Sequence, residues 1–240
     1  MDNVFIRSQA IFGESGQEKL NKSHVAVFGL GGVGSYVVEA LVRAGVGEFT
    51  LVDNDVYSLS NINRQLYATT KTIGTLKTEI AKNRILEINP HVKVNVVNAF
   101  VLDSSDDGID FSSFNYVVDA IDTVSGKLSI IKRSKDLDVP VISCMSAGNK
   151  LDATAFKVAD LFKTKVCPLC KVMRKLVKER GIDSLKVVYS EEEPIKITEE
   201  SLASTELKGN RPAPSSVSFV PSVMGLIAGG EVIKDIVGLK

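Results

Sequence analysis

The chain has 240 residues, 44% of them hydrophobic, and its 29 basic and 29 acidic residues give a formal net charge of zero. This length allows one sizeable core, or one large and one small lobe, and the neutral charge excludes a global field that draws the protein to nucleic acid or membrane. With three cysteines and no apolar leader, we expect a reducing, cytoplasmic setting and no membrane partner.

Apolar strands alternate with helical patterns in the first 150 residues. Strands are predicted at 24–28, 48–52, 92–98, 115–120 and 139–144, and helices at 33–45, 74–88 and 125–137. This alternation predicts an α/β fold with a Rossmann-like, doubly wound and mostly parallel sheet. Residues 2–20 carry a further helical pattern, so we expect residues 1–150 to form one core with an N-terminal helical lead-in.

The rest of the chain predicts a C-terminal extension of mixed strands and helices. Strands are expected at Phe156–Asp160 and Lys186–Tyr189, on either side of a basic helix at about 168–180. Residues 190–216 are acidic and then rich in Ser and Pro, which favours a mobile loop. The predicted units are therefore a substrate-side extension over 151–216 and a C-terminal helix over 217–240 that packs back on the core.

The first strand runs directly into a glycine-rich turn. Residues 24–34 read HVAVFGLGGVG, and the turn contains Gly29, Gly31, Gly32 and Gly34. A Cβ in such a turn would block the close approach of backbone N–H groups to phosphate, and the following helix N-terminus adds roughly half a positive charge. Its position between a strand and a helix predicts a nucleotide-phosphate cradle.

An acidic residue ends the second strand, where a ribose hydroxyl is commonly bound. Asp53 closes the sequence FTLVD, about twenty residues beyond the glycine turn. The alternative interpretation is a solvated loop aspartate.

The segment after Asp53 differs from the sequence expected of a dehydrogenase at this position. Asp55 is followed by SNINRQ, which contains Ser60, Asn61, Asn63 and Arg64, and then by Lys77 at the start of a helix. Arg64 and Lys77 suit a triphosphate, whose charge must be neutralised while a bond at phosphorus breaks. Either residue alone would more often be a surface charge.

The fourth strand ends in YVVDAID, followed by Thr123 and Lys127. Open α/β sheets bind ligands beyond the carboxyl ends of their strands, so Asp122 is placed to hold a Mg²⁺ that bridges phosphate oxygens. Asp119 lies inside the strand end and is expected to be structural. Lys127 either reaches the phosphates or covers the helix face, and the sequence does not separate these roles.

The glycine turn, LVDND, SNINRQ, Lys77 and DAIDT occur together in this order. In this the chain resembles the ThiF/MoeB-type adenylating enzymes, the superfamily that includes the ubiquitin-activating enzymes. The resemblance implies that Gly32 and its neighbours contact ATP, Asp53 the ribose, Asn61, Arg64 and Lys77 the phosphates, and Asp122 the Mg²⁺. Arg7 matches the arginine that reaches into the partner subunit's site in this family, which implies a homodimer with shared active sites.

One branch of this superfamily resembles the chain most closely. Residues 143–182 and the following LKVVYSEEEPI resemble the bacterial dehydratases that act on threonylcarbamoyladenosine in tRNA. This resemblance implies a ligase-type reaction in which ATP adenylates the threonyl carboxylate and the carbamoyl arm then closes onto the acyl group, releasing AMP. Family analogy adds a cysteine desulfurase and its sulfur acceptor as partners. The sequence leaves open whether a monovalent cation sits near the site.

A basic segment supports a tRNA substrate independently. Between Lys157 and Arg180 there are eight Lys or Arg residues against two acids. In a neutral protein this is a local positive stripe that phosphates would use through counterion release. The predicted tRNA contacts are Lys163, Lys165, Lys171, Arg174, Lys175 and Lys178; the alternative is a solvated helix face.

The cysteines give weaker signals. Cys167 and Cys170 have metal-ligand or redox spacing, but the second CxxC pair of many superfamily zinc sites is missing. A zinc site closed within one chain is therefore not expected, although two chains could pool their pairs across a dimer. A redox role is not favoured either, because the pair does not lie at the mouth of a thioredoxin-like unit.

Three other functions stay open on sequence grounds. An activator of a ubiquitin-like sulfur-carrier protein would be expected to carry the paired zinc motif. An NAD-dependent oxidoreductase does not need the cations Arg64 and Lys77. A module that holds ATP without chemistry would usually have lost the arginine or the aspartate that are present here as Arg64 and Asp122.

Overall fold

The computed structural model describes residues 4–102, 107–198 and 214–239, together with the backbone of 207–208 and 211–212. The helices are α1 Ile6–Lys22, α2 Gly34–Ala44, α3 Lys77–Ile88, α4 Val124–Asp136, α5 Pro168–Lys178 and α6 Phe219–Val237. The strands are β1 His24–Phe28, β2 Glu48–Val52, β3 Lys93–Val97, β4 Tyr116–Asp119, β5 Val141–Cys144, β6 Phe156–Asp160, β7 Lys186–Ser190, β8 Leu207–Lys208 and β9 Arg211–Pro212.

Seven of these strands form one sheet in the order β3-β2-β1-β4-β5-β7-β6. All neighbouring pairs are parallel except β6 and β7, which are antiparallel. The predicted mostly parallel α/β sheet is thus confirmed. The strand order reverses between β1 and β4, and ligands of such sheets bind in the crevice that opens at this point.

Helices cover both faces of the sheet. On one face, α1, α2, α3 and α6 bury side chains such as Leu20, Leu41 and Val232. On the other face, α4 and α5 bury Ile131 and Val177. This double winding explains why the central strands β1, β4 and β5 are nearly continuous apolar runs, because both of their surfaces are removed from water.

The last helix packs closely on the helix that follows the glycine turn. A Cβ at Gly225 would lie 2.3 Å from the carbonyl oxygen of Val33, and one at Gly229 would lie 2.8 Å from Cβ of Ala40. Glycine at these two positions therefore lets α6 contact α2 at backbone distance. No helix in the described ranges has the length and apolar character needed to cross a bilayer.

One predicted segment differs from the structure at its start, and another lies partly outside the described residues. The helix predicted at 74–88 begins at Lys77, because Gly74 has a φ of +82° and Leu76 forms an isolated bridge with Val56. The predicted mobile loop at 190–216 falls partly outside the described residues, which omit 199–206, 209–210 and 213. Its described part contains the antiparallel pair β8 and β9.

Candidate functional site

A cavity of 680 Å³ lies beyond the carboxyl ends of the parallel strands. Its walls come from the glycine turn after β1, the segment after β2, the segment after β3 and the turns that follow β4 and β5. The cavity therefore occupies the switch point of the sheet, where the topology predicts a ligand.

The glycine turn forms one wall. Gly29 has a φ of +87°, and a Cβ there would lie 2.8 Å from the carbonyl oxygen of Ala120. Gly31 and Gly32 also line the cavity. Gly34 does not: its Cβ would lie 1.7 Å from the carbonyl oxygen of Gly29, so its place in the motif reflects contact between helix and turn. The contact of Gly34 with the nucleotide stays a prediction.

Asp53 fixes the turn to the end of β2. One carboxylate oxygen accepts the N–H of Leu30 at 2.7 Å, and the other accepts the N–H of Asp55 at 2.9 Å. Asp53 also lines the cavity. Each oxygen of a carboxylate has a second lone pair, so this residue can hold the turn and still accept a hydrogen bond from a ligand hydroxyl.

A lysine at the start of α3 lies in the same wall. The Lys77 Nζ is 2.8 Å from an oxygen of Asp55, and the Lys77 N–H donates to the Asp55 carbonyl at 3.0 Å. The Lys77 side chain is 6% exposed and that of Asp55 61% exposed, and both residues line the cavity. The ammonium is thus held beside the open space at the positive end of a helix.

The SNINRQ segment forms a turn that orients Arg64. Its Nη1 donates to the Ser60 carbonyl at 2.8 Å and to Oδ1 of Asn63 at 2.9 Å. Asn61 and Arg64 line the cavity, whereas Ser60 and Asn63 do not. Asn63 instead donates to the Ser216 carbonyl at 2.9 Å. The Ser60 carbonyl and the Asn63 side chain thus support the guanidinium, and the ligand contacts expected of Ser60 and Asn63 stay predictions.

The turn after β4 brings a carboxylate and a hydroxyl to the cavity. Asp122 and Thr123 both line it, while Asp119 is fully buried one layer below. The Asp119 carboxylate accepts the N–H of Ile121 at 3.3 Å and therefore shapes the turn that presents Asp122.

Lys127 lies in this buried layer. Its ammonium donates to Asp119 at 3.0 Å, to the Cys144 carbonyl at 2.7 Å and to the Ser143 hydroxyl at 3.4 Å, and the side chain has no exposed surface. Its three donors are already engaged in the core. The expectation that Lys127 binds phosphate is therefore wrong, and the residue is structural.

Several cavity residues were missed from the sequence. Met145, Ser146, Ala147 and Gly148 follow β5, and the rule that strand ends face the ligand could have found them. Gln65 is buried and lines the cavity, and its Oε1 has no partner among the described residues. No pattern in the sequence separates Gln65 from an ordinary loop residue.

The basic helix α5 presents two different faces. Lys171, Lys175 and Lys178 are exposed, as are Lys163 and Lys165 just before the helix. Arg174 points inward instead, where its Nη1 donates to the carbonyl of Thr164 at 3.1 Å and to the same residue's hydroxyl. Its guanidinium thus ties the loop before α5 to the helix, which does not favour the tRNA contact expected of Arg174.

Arg7 is exposed on α1 and does not line the cavity of its own chain. Cys144, Cys167 and Cys170 are free and buried. Within the described ranges, no three His, Cys, Asp or Glu residues form a complete metal-binding group.

The chain matches the sequence profile of the ThiF family over residues 6–240. It is 41% identical over 242 residues to a tRNA threonylcarbamoyladenosine dehydratase of Bacillus subtilis (strain 168), covering 98% of this chain and 95% of that protein. A dehydratase of the same name from Escherichia coli (strain K12) is 37% identical over 170 residues, which cover 70% of this chain and 63% of that protein.

Solved structures give the same relationship. The E. coli tRNA N6-threonylcarbamoyladenosine dehydratase in complex with ATP superposes with a TM-score of 0.86 at 29% identity, covering 98% of this chain and 93% of that one. E. coli MccB in complex with ATP superposes with a TM-score of 0.65 at 19% identity, covering 99% of this chain and 64% of that one, which shows a shared fold only.

Proposed function

The chain belongs to the ThiF family, and we propose that it catalyses the ATP-dependent dehydration of threonylcarbamoyladenosine in tRNA through an acyl-adenylate. The observation that carries this proposal is the single cavity that joins a glycine turn, the cations Arg64 and Lys77 and the carboxylate of Asp122. The full-length similarity to dehydratases of that name supports the choice of substrate.

In the first step, an oxygen of the threonyl carboxylate attacks the α-phosphorus of ATP, the bond to the bridging oxygen breaks, and diphosphate leaves. Arg64 and Lys77 stabilise the charge that develops on the phosphate oxygens. Both are held in place before ATP arrives, Arg64 by the Ser60 carbonyl and Lys77 by Asp55, so little reorganisation is needed. Asp53 accepts a hydrogen bond from the ribose.

In the second step, the carbamoyl group closes onto the activated acyl carbon, AMP leaves with the bonding electrons, and one proton is lost. The net change is the loss of one water molecule from the tRNA. Both reacting groups belong to one nucleoside, so the protein contributes chiefly by holding a bent conformation and excluding water. Neither His24 nor His91 lines the cavity, which agrees with a reaction driven by the leaving group.

The cavity is suited to Mg²⁺ bound together with ATP. Asp53, Asp55 and Asp122 offer carboxylate oxygens, the ligands that this hard cation prefers. Because Mg²⁺ usually takes one or two carboxylates and completes its shell with phosphate and water, a partial protein site fits it. We assign the ion to Asp122, where it would neutralise phosphate charge when bound.

The exposed lysines of α5 and the loop before it serve as the tRNA surface in this proposal. Leu169 lies in the first turn of α5 and lines the cavity, and the lysines at 171, 175 and 178 follow it along the helix. We also propose a homodimer in which Arg7 reaches the partner's cavity. It is exposed on α1 next to Ile6, which is itself 66% exposed.

Labelled ATP tests the proposal directly. AMP should form in the presence of tRNA that carries threonylcarbamoyladenosine, and neither unmodified tRNA nor a peptide ending in Gly-Gly should replace it. AMP formation driven by the Gly-Gly peptide instead would identify an activator of a ubiquitin-like carrier. The absence of tRNA-stimulated AMP would reject the dehydratase.

Two substitutions test the site itself. Asp122→Ala and Arg64→Ala should each lower AMP formation by about 10²–10³-fold, because Arg64 is the cation proposed to face the phosphates and Asp122 the carboxylate proposed to hold Mg²⁺. Asp183→Ala, at an exposed carboxylate outside the cavity, is the matched control and should keep wild-type turnover. Circular dichroism should show that all three variants are folded. Near-normal turnover of either site variant would refute the assignment.

A further inference from the structure

Residues 214–216, which we call the wall segment, form part of the cavity wall and have no role in the proposed chemistry. Pro214 and Ser216 line the cavity, and the segment leads into α6 three residues later. Its side chains carry no charge, so they do not add to the cations that face phosphate. What the wall segment contributes is a backbone carbonyl whose position is held by a residue outside the cavity.

That residue is Asn149, which follows β5. Its backbone N–H donates to the Ser215 carbonyl at 2.8 Å, and its side-chain Oδ1 accepts the N–H of Ser215 at 2.8 Å. Both backbone polar groups of Ser215 are thus bonded to one residue. The Asn149 carbonyl also accepts the N–H of Ile195 at 2.8 Å. Asn149 therefore clamps two segments that are distant from it in the sequence.

The backbone around Asn149 is shaped for this clamp. Asn149 has a φ of +57°, in the left-handed region that asparagine tolerates better than most residues with a side chain. A Cβ at the preceding Gly148 would lie 2.7 Å from Cβ of Pro214, so the absence of a side chain there lets the wall segment come close. Gly148 lines the cavity, whereas Asn149 does not.

The wall segment in turn orients Asn63. The Ser216 carbonyl accepts a hydrogen bond from Nδ2 of Asn63 at 2.9 Å, and Oδ1 of Asn63 accepts one from Nη1 of Arg64 at 2.9 Å. An amide group donates at one end and accepts at the other, so a carbonyl on one side and a guanidinium on the other fix its orientation. The position of the Ser216 carbonyl therefore determines where Asn63 places its oxygen for Arg64.

We propose that Asn149 is a positioning residue that holds the Arg64 guanidinium in place for the phosphates of ATP, through the wall segment and Asn63. This role rests on the proposed function, in which Arg64 faces those phosphates. A donor that is aimed before the ligand binds costs little reorganisation, whereas an unsupported arginine side chain has many conformations to lose. Because Asn149 does not line the cavity, its effect on the ligand passes through the residues that it holds.

Two variants at position 149 test the clamp itself. Asn149→Gly is expected to fold, because glycine adopts the left-handed backbone readily and keeps the backbone hydrogen bonds, so that only the Oδ1 acceptor is lost. Asn149→Asp restores an acceptor oxygen at the same distance from the main chain. Amide hydrogen exchange at Ser215 should be about fivefold faster in Asn149→Gly, the factor expected for the loss of one ordinary hydrogen bond. It should return towards the wild-type rate in Asn149→Asp.

Calorimetric titration with ATP tests whether the clamp reaches Arg64. Asn149→Gly should bind ATP about fivefold more weakly than the wild type, and Asn149→Asp should bind it with nearly wild-type affinity. Asn63→Ala cuts the same chain of hydrogen bonds one step closer to Arg64. Adding Asn149→Gly to Asn63→Ala should therefore cause no further loss of affinity. A merely structural role of Asn149 would make the two losses multiply.

Asp138→Gly is the matched control, because Asp138 also has a left-handed φ, of +53°, but is exposed and lies outside the cavity. It should leave both the exchange at Ser215 and the affinity for ATP unchanged. Unchanged exchange at Ser215 in Asn149→Gly would overturn the proposal, and so would multiplied losses in the double variant. The exchange measurement needs neither ATP nor tRNA, and the titration needs no tRNA, so failure of the proposed dehydratase activity would be recognised separately.

Discussion

Two lysine–aspartate pairs lie at the carboxyl ends of β2 and β4, the strands on either side of β1, and they differ in which partner faces open space. The Lys77 ammonium is 2.8 Å from Asp55, whose side chain is 61% exposed in the cavity wall. The Lys127 ammonium is 3.0 Å from Asp119, and neither side chain has exposed surface. The first pair belongs to the cavity wall and the second to the layer beneath it.

The difference shows that a cation near a phosphate cradle is available to a ligand only if its own partners leave a donor free. The Lys127 ammonium donates hydrogen bonds to the Asp119 carboxylate, the Ser143 hydroxyl and the Cys144 carbonyl. It thereby joins the ends of β4 and β5, from which Asp122 and Met145 enter the cavity wall. Lys77 has one charged partner in the wall, and that partner is already solvated.

The largest effect is expected for Lys127→Met. This substitution keeps the length of the side chain but leaves the Asp119 carboxylate buried without a cation, which should lower the free energy of unfolding by about 3–5 kcal/mol. Urea denaturation at neutral pH measures this loss.

A double variant shows whether the loss comes from the charge. Asp119→Asn combined with Lys127→Met removes both charges, so much of the stability should return. If the single variant were as stable as the wild type, Lys127 would not belong to the buried layer, and the two pairs would be equivalent.

Lys77→Met should give the opposite combination of effects. Its partner Asp55 stays in water, so the free energy of unfolding should change by less than about 1 kcal/mol. AMP formation should fall by about 10²–10³-fold, because a cation that faces the phosphates is lost. Lys71→Met, at an exposed lysine outside the cavity, is the matched control. If the Lys77→Met protein were stable and fully active, Lys77 would not act on the phosphates.

The sequence predicted the architecture well because the relevant signals are local. β1 and β2 are short apolar runs followed by a glycine turn and by Asp53, β4 ends in Asp119, and all five predicted core strands are present. The cavity could also be anticipated, since the carboxyl ends of parallel strands meet at one edge. Gly31, Asp53 and Asp122 line it, as their positions just after strand ends suggested.

The parts of the site that the sequence did not predict depend on where a side chain points and on contacts with distant segments. The spacing of residues along the chain does not encode either. Lys127 and Lys77 both lie near the start of a helix after a strand, but only the fold shows that Lys127 points beneath the cavity. Arg174 lies between exposed lysines in the sequence, yet its guanidinium donates a hydrogen bond to the Thr164 carbonyl in the loop before α5.

The same distinction between outward and internal cations applies to α5, where the smallest effect is expected. Replacing Lys171, Lys175 and Lys178 together by Gln removes three exposed charges spaced on one face of the helix. The affinity for tRNA should fall about tenfold, and the slope of log K against log salt should flatten by about two, because each phosphate contact with single-stranded nucleic acid contributes about 0.7. ATP binding should be unchanged, since these side chains do not line the cavity.

Arg174→Gln is the matched comparison within the same helix. Its guanidinium is bonded to Thr164, so the variant should lose stability and keep the salt dependence of tRNA binding. Filter binding at several salt concentrations measures both slopes, and thermal denaturation measures the stability. If Arg174→Gln flattened the salt dependence of tRNA binding as much as the triple variant did, Arg174 would contact tRNA as the exposed lysines do. If the triple variant bound tRNA with wild-type affinity, the outward lysines would not be the tRNA surface, and the basic stripe would be only a solvated helix face.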